Sequence, residues 1–260
     1  MNSEAKSRVQ AQFGAHAAAY VHATNFRQGV TLHALVEAVS PQSGQRALDV
    51  ATGGGHTALA LARRGLWVVA GDLTAPMLRA AREHIAAQAV RGTVHYAQLD
   101  AEALPFPEGA FDVATCRVAP HHFPHVARFV RELARVVRLG GTVGVVDIVT
   151  PPHPKTARYI NAFERLRDPS HIWAYSVAEW EGFFSDAGLS LTHSELFDTR
   201  HQLSTWAQRM GRDTPTTLRL AAMLRQAPSP VAAWLRPQFA PSGLDAQFSI
   251  WQVLLVGRKG

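Results

Sequence analysis

The run Ala47-Leu48-Asp49-Val50-Ala51-Thr52-Gly53-Gly54-Gly55-His56-Thr57-Ala58 has the clearest chemical content of the chain. An apolar stretch ends beside a carboxylate, passes through three glycines and opens into an alanine- and leucine-rich segment. That is the order of a strand, a tight loop and a helix N-terminus, which holds nucleotide-like cofactors in open α/β folds. Glycine lets a backbone approach a ligand closely, because it has no Cβ and tolerates positive φ. The fragment from Gly53 to Ala58 also fits G-x-G-x-x-A, with Asp72 at a spacing suited to a ribose diol. An NAD-dependent oxidoreductase is therefore one reading. Two features weigh against it: Asp49, ahead of the first glycine, would repel a pyrophosphate, and no Tyr-x-x-x-Lys pair is present. With Asp100 as a further strand-end carboxylate, the pattern suits a cationic, amine-bearing cofactor.

A second group, His121, His122 and His125, follows the fourth predicted strand. Histidine titrates near neutrality and can take a proton from a phenol or an activated carbon, which makes His121 and His122 the candidate catalytic residues. The competing reading is that one packs and shapes the pocket while the other hydrogen-bonds a loop carbonyl. Although the three form H-H-x-x-H, no carboxylate or cysteine completes a ligand set, so no metal is expected. Cys116, the single cysteine, reads as a small buried hydrophobe. It excludes an internal disulfide and fits a reducing compartment, so a cytoplasmic location is expected.

These residues need a scaffold. Strands are predicted at 46–51, 66–71, 93–98, 111–116 and 142–149, and helices at about 56–64, 75–89 and 124–138. The strand cores are near-continuously apolar, as in a parallel sheet covered on both faces. Short connections between strands and helices indicate repeated βαβ units. Ahead of this core, residues 8–39 carry apolar positions at helical spacing. After Pro151-Pro152-His153-Pro154 come a helix at about 156–167 and a second one opened by Ser176 and Glu179 at capping-box spacing. A strand at 189–196, two helical stretches between 201 and 236, and a final strand at 247–256 complete the pattern. No internal repeat or low-complexity tract is present.

The chain has 260 residues, 47% hydrophobic and 18% charged, which suits one large domain or a core with an appended cap. No apolar run approaches the roughly 18 residues of a membrane helix. The N-terminus lacks the apolar region of a signal peptide. The formal charge of +6 comes from arginines dispersed on alanine-rich helical segments, so no nucleic-acid partner is expected.

Beyond the glycine loop, three segments extend the pattern: Gly71-Asp72-Leu73-Thr74-Ala75-Pro76-Met77-Leu78, Asp100 through Cys116, and Arg135-Val136-Val137-Arg138-Leu139-Gly140-Gly141. In this order they resemble the class I S-adenosylmethionine-dependent methyltransferases. The branch is the one that holds the ubiquinone and menaquinone C-methyltransferases. Arg117 through Phe123 and Leu166 through His171 look like uncharacterised bacterial relatives of that branch. The likeness is ordered over residues 40–150, looser to 188 and faint beyond.

The resemblance implies an α/β fold: a Rossmann-like, doubly wound, mostly parallel seven-stranded sheet with an antiparallel last strand, N-terminal helices and a helical cap. Residues 1–40 would lie over the active site, 41–150 would form the cofactor-binding core, and 151–260 would complete the sheet and cap the acceptor site. For S-adenosylmethionine, the loop through Ala51, Thr52, Gly53 and Gly55 would pass under the methionine part, with Asp49 orienting the ammonium. Asp72 would take the ribose hydroxyls, and Leu73 and Met77 would line the adenine. Asp100 would accept from the adenine amino group, Ala101 would donate from its backbone, and the Arg117 carbonyl would meet the ammonium. Ala51 departs from the glycine the family more often has there. The expected activity is methyl transfer to a small, partly apolar acceptor, such as a phenol- or quinone-like molecule. A cofactor-binding protein without methyl transfer is the alternative.

Two walls are expected to close the acceptor pocket: an N-terminal one with Phe13, Tyr20, His22 and Phe26, and a second within 153–240 with Tyr159, Phe163, Arg167, His171 and Trp173. Arg117 and Arg167 could pair with an acidic substituent. A dimer and a monomer both fit the sequence.

Overall fold

A computed structural model describes residues 4–12, 29–241 and 245–260. Residues 4–12 form a helix, α1. Then follow α2 (Val30–Ala38), β1 (Arg46–Val50), α3 (His56–Arg63), β2 (Trp67–Asp72), α4 (Ala75–Ala86), β3 (Thr93–Gln98) and β4 (Phe111–Arg117). A single 3-10 turn over Pro120–His122 leads to α5 (Val126–Val136) and β5 (Val137–Ile148). The remainder is α6 (Pro154–Arg167), α7 (Val177–Asp186), β6 (Leu189–Gln202), α8 (Leu203–Gln208), α9 (Thr214–Arg225), α10 (Ser229–Leu235), β7 (Gln238–Phe239) and β8 (Ala246–Lys259).

The sheet runs β3-β2-β1-β4-β5-β8-β6, with the two-residue β7 paired to β8 beside this path. Strands β3 to β5 are parallel, and β8 is antiparallel to both β5 and β6. The doubly wound expectation with an antiparallel last strand holds, with β7 as a short addition. The order reverses between β1 and β4, so a crevice opens at their C-terminal ends, where ligands bind in such sheets. The first glycine loop leaves β1 there, and the two histidines follow β4 there.

The central strands are covered because helices pack on both faces, while the outer β3 and β6 keep exposed positions. Val50, Ala114, Cys116 and Val145 lie in one core with Phe129 and Leu133 of α5. Ala47, Val68, Ala70 and Val146 lie in the other with Leu35 and Val36 of α2. Gly144 in β5 permits that second contact: a Cβ there would stand 2.5 Å from Val39 Cγ1 and 2.7 Å from Leu35 Cδ1.

Several boundaries differ from the sequence pattern. Of the stretch 8–39 read as helical, residues 8–12 lie in α1 and 30–38 form α2, while the expected wall residues Phe13, Tyr20, His22 and Phe26 lie outside the described residues. Between 201 and 236 there are three helices where two were expected. Asp213 caps α9 by accepting from Thr216 N at 2.9 Å, and Pro228 is the N-cap of α10, so the chain restarts at each point. Strand β6 runs six residues past its apolar stretch because β8 pairs with it from Leu189 to Gln202. Among the described residues no helix is long and apolar enough to cross a membrane.

Candidate active site

The glycine loop is built from left-handed backbone. Ala51, Gly53 and Gly55 have φ of 52°, 53° and 79°. Gly55 is the N-cap of α3, and a Cβ on it would come within 2.9 Å of Ile85 Cδ1, so it lets α3 and α4 approach. Gly53 has a different use: a Cβ there would meet nothing within 4 Å, which leaves its backbone open to a ligand. Thr52 N donates to Gly71 O at 2.9 Å and ties the loop to β2.

Two carboxylates face the crevice from the strand ends. Asp49 is buried; it accepts from Thr52 Oγ1 at 2.6 Å and from Thr115 Oγ1 at 2.9 Å. Burial pushes its pKa up to about 6, against the pull of those hydroxyls and of Arg117. Asp72 accepts from Gly53 N at 3.0 Å and from Thr74 N at 2.9 Å, so it fixes the loop and the start of α4 together. Its pKa is also raised by burial.

Asp49, Ala51, Thr52, Gly53, Asp72, Met77, Arg117 and His122 all line one cavity. Gly55, Leu73, Asp100, Ala101 and His121 stand outside that lining. Helix α1 lies across this end of the crevice. Val9 enters the cavity wall, Gln10 Nε2 donates to Leu73 O at 3.3 Å, and Lys6 Nζ reaches Asp100 at 2.5 Å and Glu102 at 2.8 Å. Sequence reasoning missed Lys6, and it missed Thr57, Thr74, Val118 and Phe123 in the wall. Thr57 lies in the first turn of α3 and Thr74 is the N-cap of α4, positions the motif spacing could have flagged.

The two adjacent histidines part company. His121 Nδ1 meets Asp147 Oδ1 at 2.6 Å behind the wall, and its carbonyl accepts from Ile172 N and Trp173 N. Burial depresses its pKa, but the charge and hydrogen bond of Asp147 outweigh that and raise it. His122 lines the cavity, with Nδ1 at 3.1 Å from Ser170 O. Burial, then the charge of His121, lowers its pKa to about 3, so its imidazole is neutral at ordinary pH. The turn that carries Ser170 is stapled by Asp168, which accepts from Ser170 N at 2.9 Å and from Ser170 Oγ at 2.5 Å. Nearby His171 Nε2 bonds Asn161 Oδ1 at 2.7 Å. Among the described residues no group of three or more histidine, cysteine, aspartate or glutamate side chains is placed to hold a metal ion.

Comparison with known proteins agrees with this architecture. A family model described as a methyltransferase domain matches residues 48–145. The uncharacterised methyltransferase YcgJ of Bacillus subtilis is 30% identical over 247 residues, covering 95% of this chain and 97% of the relative. The solved structure of the YcgJ protein superposes with a TM-score of 0.83 over 88% of this chain and 97% of that one. A demethylmenaquinone methyltransferase of Thermus thermophilus is 39% identical over 124 residues, 47% of this chain and 54% of the relative.

Proposed function

The chain belongs to the class I S-adenosylmethionine-dependent methyltransferases, and on that premise we propose that it methylates a small, partly apolar, phenol- or quinone-like acceptor. The crevice fits the cofactor: the backbone at Gly53 is open, and carboxylates stand at both strand ends beside it. S-adenosylmethionine supplies an activated methyl group, so the protein has to align donor and acceptor and exclude water. In this reading Asp49 orients the ammonium, assisted by the Arg117 carbonyl, and the loop through Ala51, Thr52, Gly53 and Gly55 supports the methionine part. Asp72 holds the ribose, Leu73 and Met77 flank the adenine, and Asp100 with Ala101 meets its edge beneath α1.

The acceptor reading rests on His122. Its Nδ1 hydrogen goes to the Ser170 carbonyl, which leaves the neutral Nε2 to accept a hydrogen bond from the acceptor. Phe123 beside it supplies an aromatic wall. His121, held by Asp147, is a positioning residue that keeps the turn seated. As the methyl group passes from the sulfonium to the acceptor, neutral His122 holds the acceptor hydroxyl by a hydrogen bond, and the hydroxyl proton leaves to solvent. The resemblance to demethylmenaquinone methyltransferases supports a quinone-like acceptor, and residues 153–240 form the cap over it.

Calorimetric titration with S-adenosylmethionine, its demethylated product and NADH tests the reading. The first two bind and NADH does not. Asp72→Ala weakens both by about 1–3 kcal/mol, the cost of an unpaired ribose contact. His122→Gln keeps cofactor affinity but slows product formation from phenolic and quinol acceptors. Unchanged affinity in Asp72→Ala overturns the cofactor assignment, and full turnover in His122→Gln overturns the acceptor chemistry.

A further inference from the structure

Behind the glycine loop, α2, α3 and the end of α4 enclose a further cavity of about 420 Å³. His56, Leu59, Ala60 and Arg63 line it at i, i+3, i+4 and i+7, so one stripe of α3 forms its floor. At 1.5 Å per residue that floor is about 10 Å long. Its two ends differ in chemistry. At the far end Arg63 Nη2 donates to Gln88 Oε1 at 2.7 Å, and Arg64 pairs with Glu37 of α2. At the near end His56 packs edge to face on His84 of α4, with ring centroids 4.7 Å apart. Leu32, Val36 and Leu59 make the wall apolar along its length. Glu37 is thus neutralised by Arg64, whereas Arg63 forms no ion pair among the described residues. A guanidinium fork over an apolar floor matches a carboxylate on an apolar body.

The imidazole end bears on the loop. A carbonyl only accepts, so His84 Nδ1 donates to Gly54 O, at 2.7 Å. Buried His56 lines this cavity and the cofactor crevice alike. The rings that close the cavity therefore also brace the loop from behind. We propose that this cavity is a second binding site, which takes a small organic acid with its carboxylate on Arg63 and its apolar chain along α3 toward His56 and His84. Because the acid reaches the rings that brace the loop, its binding is linked to that of the cofactor, a linkage that rests on the cofactor reading above.

Calorimetry with octanoate and with its uncharged amide, octanamide, tests the site. Octanoate binds the unmodified protein about tenfold tighter than octanamide, the worth of a hydrogen-bonded charge. Arg63→Gln removes that margin. Its affinity for S-adenosylmethionine without octanoate stays that of the unmodified protein, because Arg63 lies outside the crevice lining. Saturating octanoate shifts the affinity for S-adenosylmethionine about fivefold, and the cofactor shifts that for octanoate by the same factor. His84→Phe keeps a ring but not the bond to Gly54, so it binds octanoate with that coupling lost. Equal binding of the two probes, or an undiminished margin in Arg63→Gln, overturns the site. Full coupling in His84→Phe, or none in the unmodified protein, overturns the link to the loop. Failure of S-adenosylmethionine to bind even without octanoate removes the cofactor reading instead, and the probe comparison still decides the site.

Discussion

At the residue scale, Ala51 is the informative departure. Its φ of 52° is the left-handed conformation that an L side chain adopts at a cost of about 1–2 kcal/mol. Glycine removes that cost and returns part of it through the greater freedom of the unfolded chain. Ala51→Gly is therefore expected to stabilise the protein by about 0.5–1 kcal/mol in urea unfolding. A loss of stability would mean that the methyl group's packing against the core outweighs the strain. Asp49 and Asp72 were legible in the sequence because each ends its own apolar run. Thr115, which donates to Asp49 from the neighbouring strand, was not, since only the β1–β4 register brings it there. That one of the two adjacent histidines would hydrogen-bond a loop carbonyl was the competing reading, but which one does so was hidden, because Asp147 and Ser170 reach them from distant segments.

At the level of the element, α7 shows how much a local signal can settle. Ser176 Oγ accepts from Glu179 N, while Glu179 Oε2 accepts from Ser176 N at 2.7 Å. The cap starts the helix at the point where Trp180 and Phe184 enter the core fully buried. Ser176→Ala is expected to cost about 1–2 kcal/mol of stability, read as a lower denaturation midpoint with an unchanged slope. Signals of this kind, with strand–helix alternation, made residues 41–150 readable to within a few positions. Helices α8 to α10 were less so, because their breaks depend on proline and cap chemistry inside one amphipathic stretch. The length of β6 was not readable at all. Its second half has little apolar character and is a strand only because β8 lies alongside. Residues 1–40 were expected over the site, but the contacts of Lys6 in α1 were not legible, since Lys6 finds Asp100 and Glu102 only once the fold has assembled.

For the whole molecule, buried ionisable groups set the response to pH. Glu164 of α6 is buried near His121, Asp147, Arg167 and Asp168, and burial pushes its pKa up to about 7. The folded state thus keeps a proton that the unfolded chain releases near pH 4.3, so this group makes stability fall as pH rises from there to about 7. Asp49, raised to about 6, acts in the same direction. His122 and His201, both lowered to about 3, act oppositely: below about pH 6.5 the unfolded chain takes up protons that the fold refuses. Glu164→Gln isolates the first contribution. Relative to the unmodified protein it gains about 2–3 kcal/mol between pH 5 and pH 8 in urea unfolding, and an unchanged difference across that range would refute the assignment. The sheet order carries a consequence for biosynthesis. Strands β1 to β5 find their parallel partners soon after they leave the ribosome, whereas β6 emerges before α8 to α10 and, among the described residues, pairs only with β8, which follows them. The cofactor half can therefore take shape on the nascent chain while β6 still waits with an open edge, the stage at which a holding chaperone has most to protect.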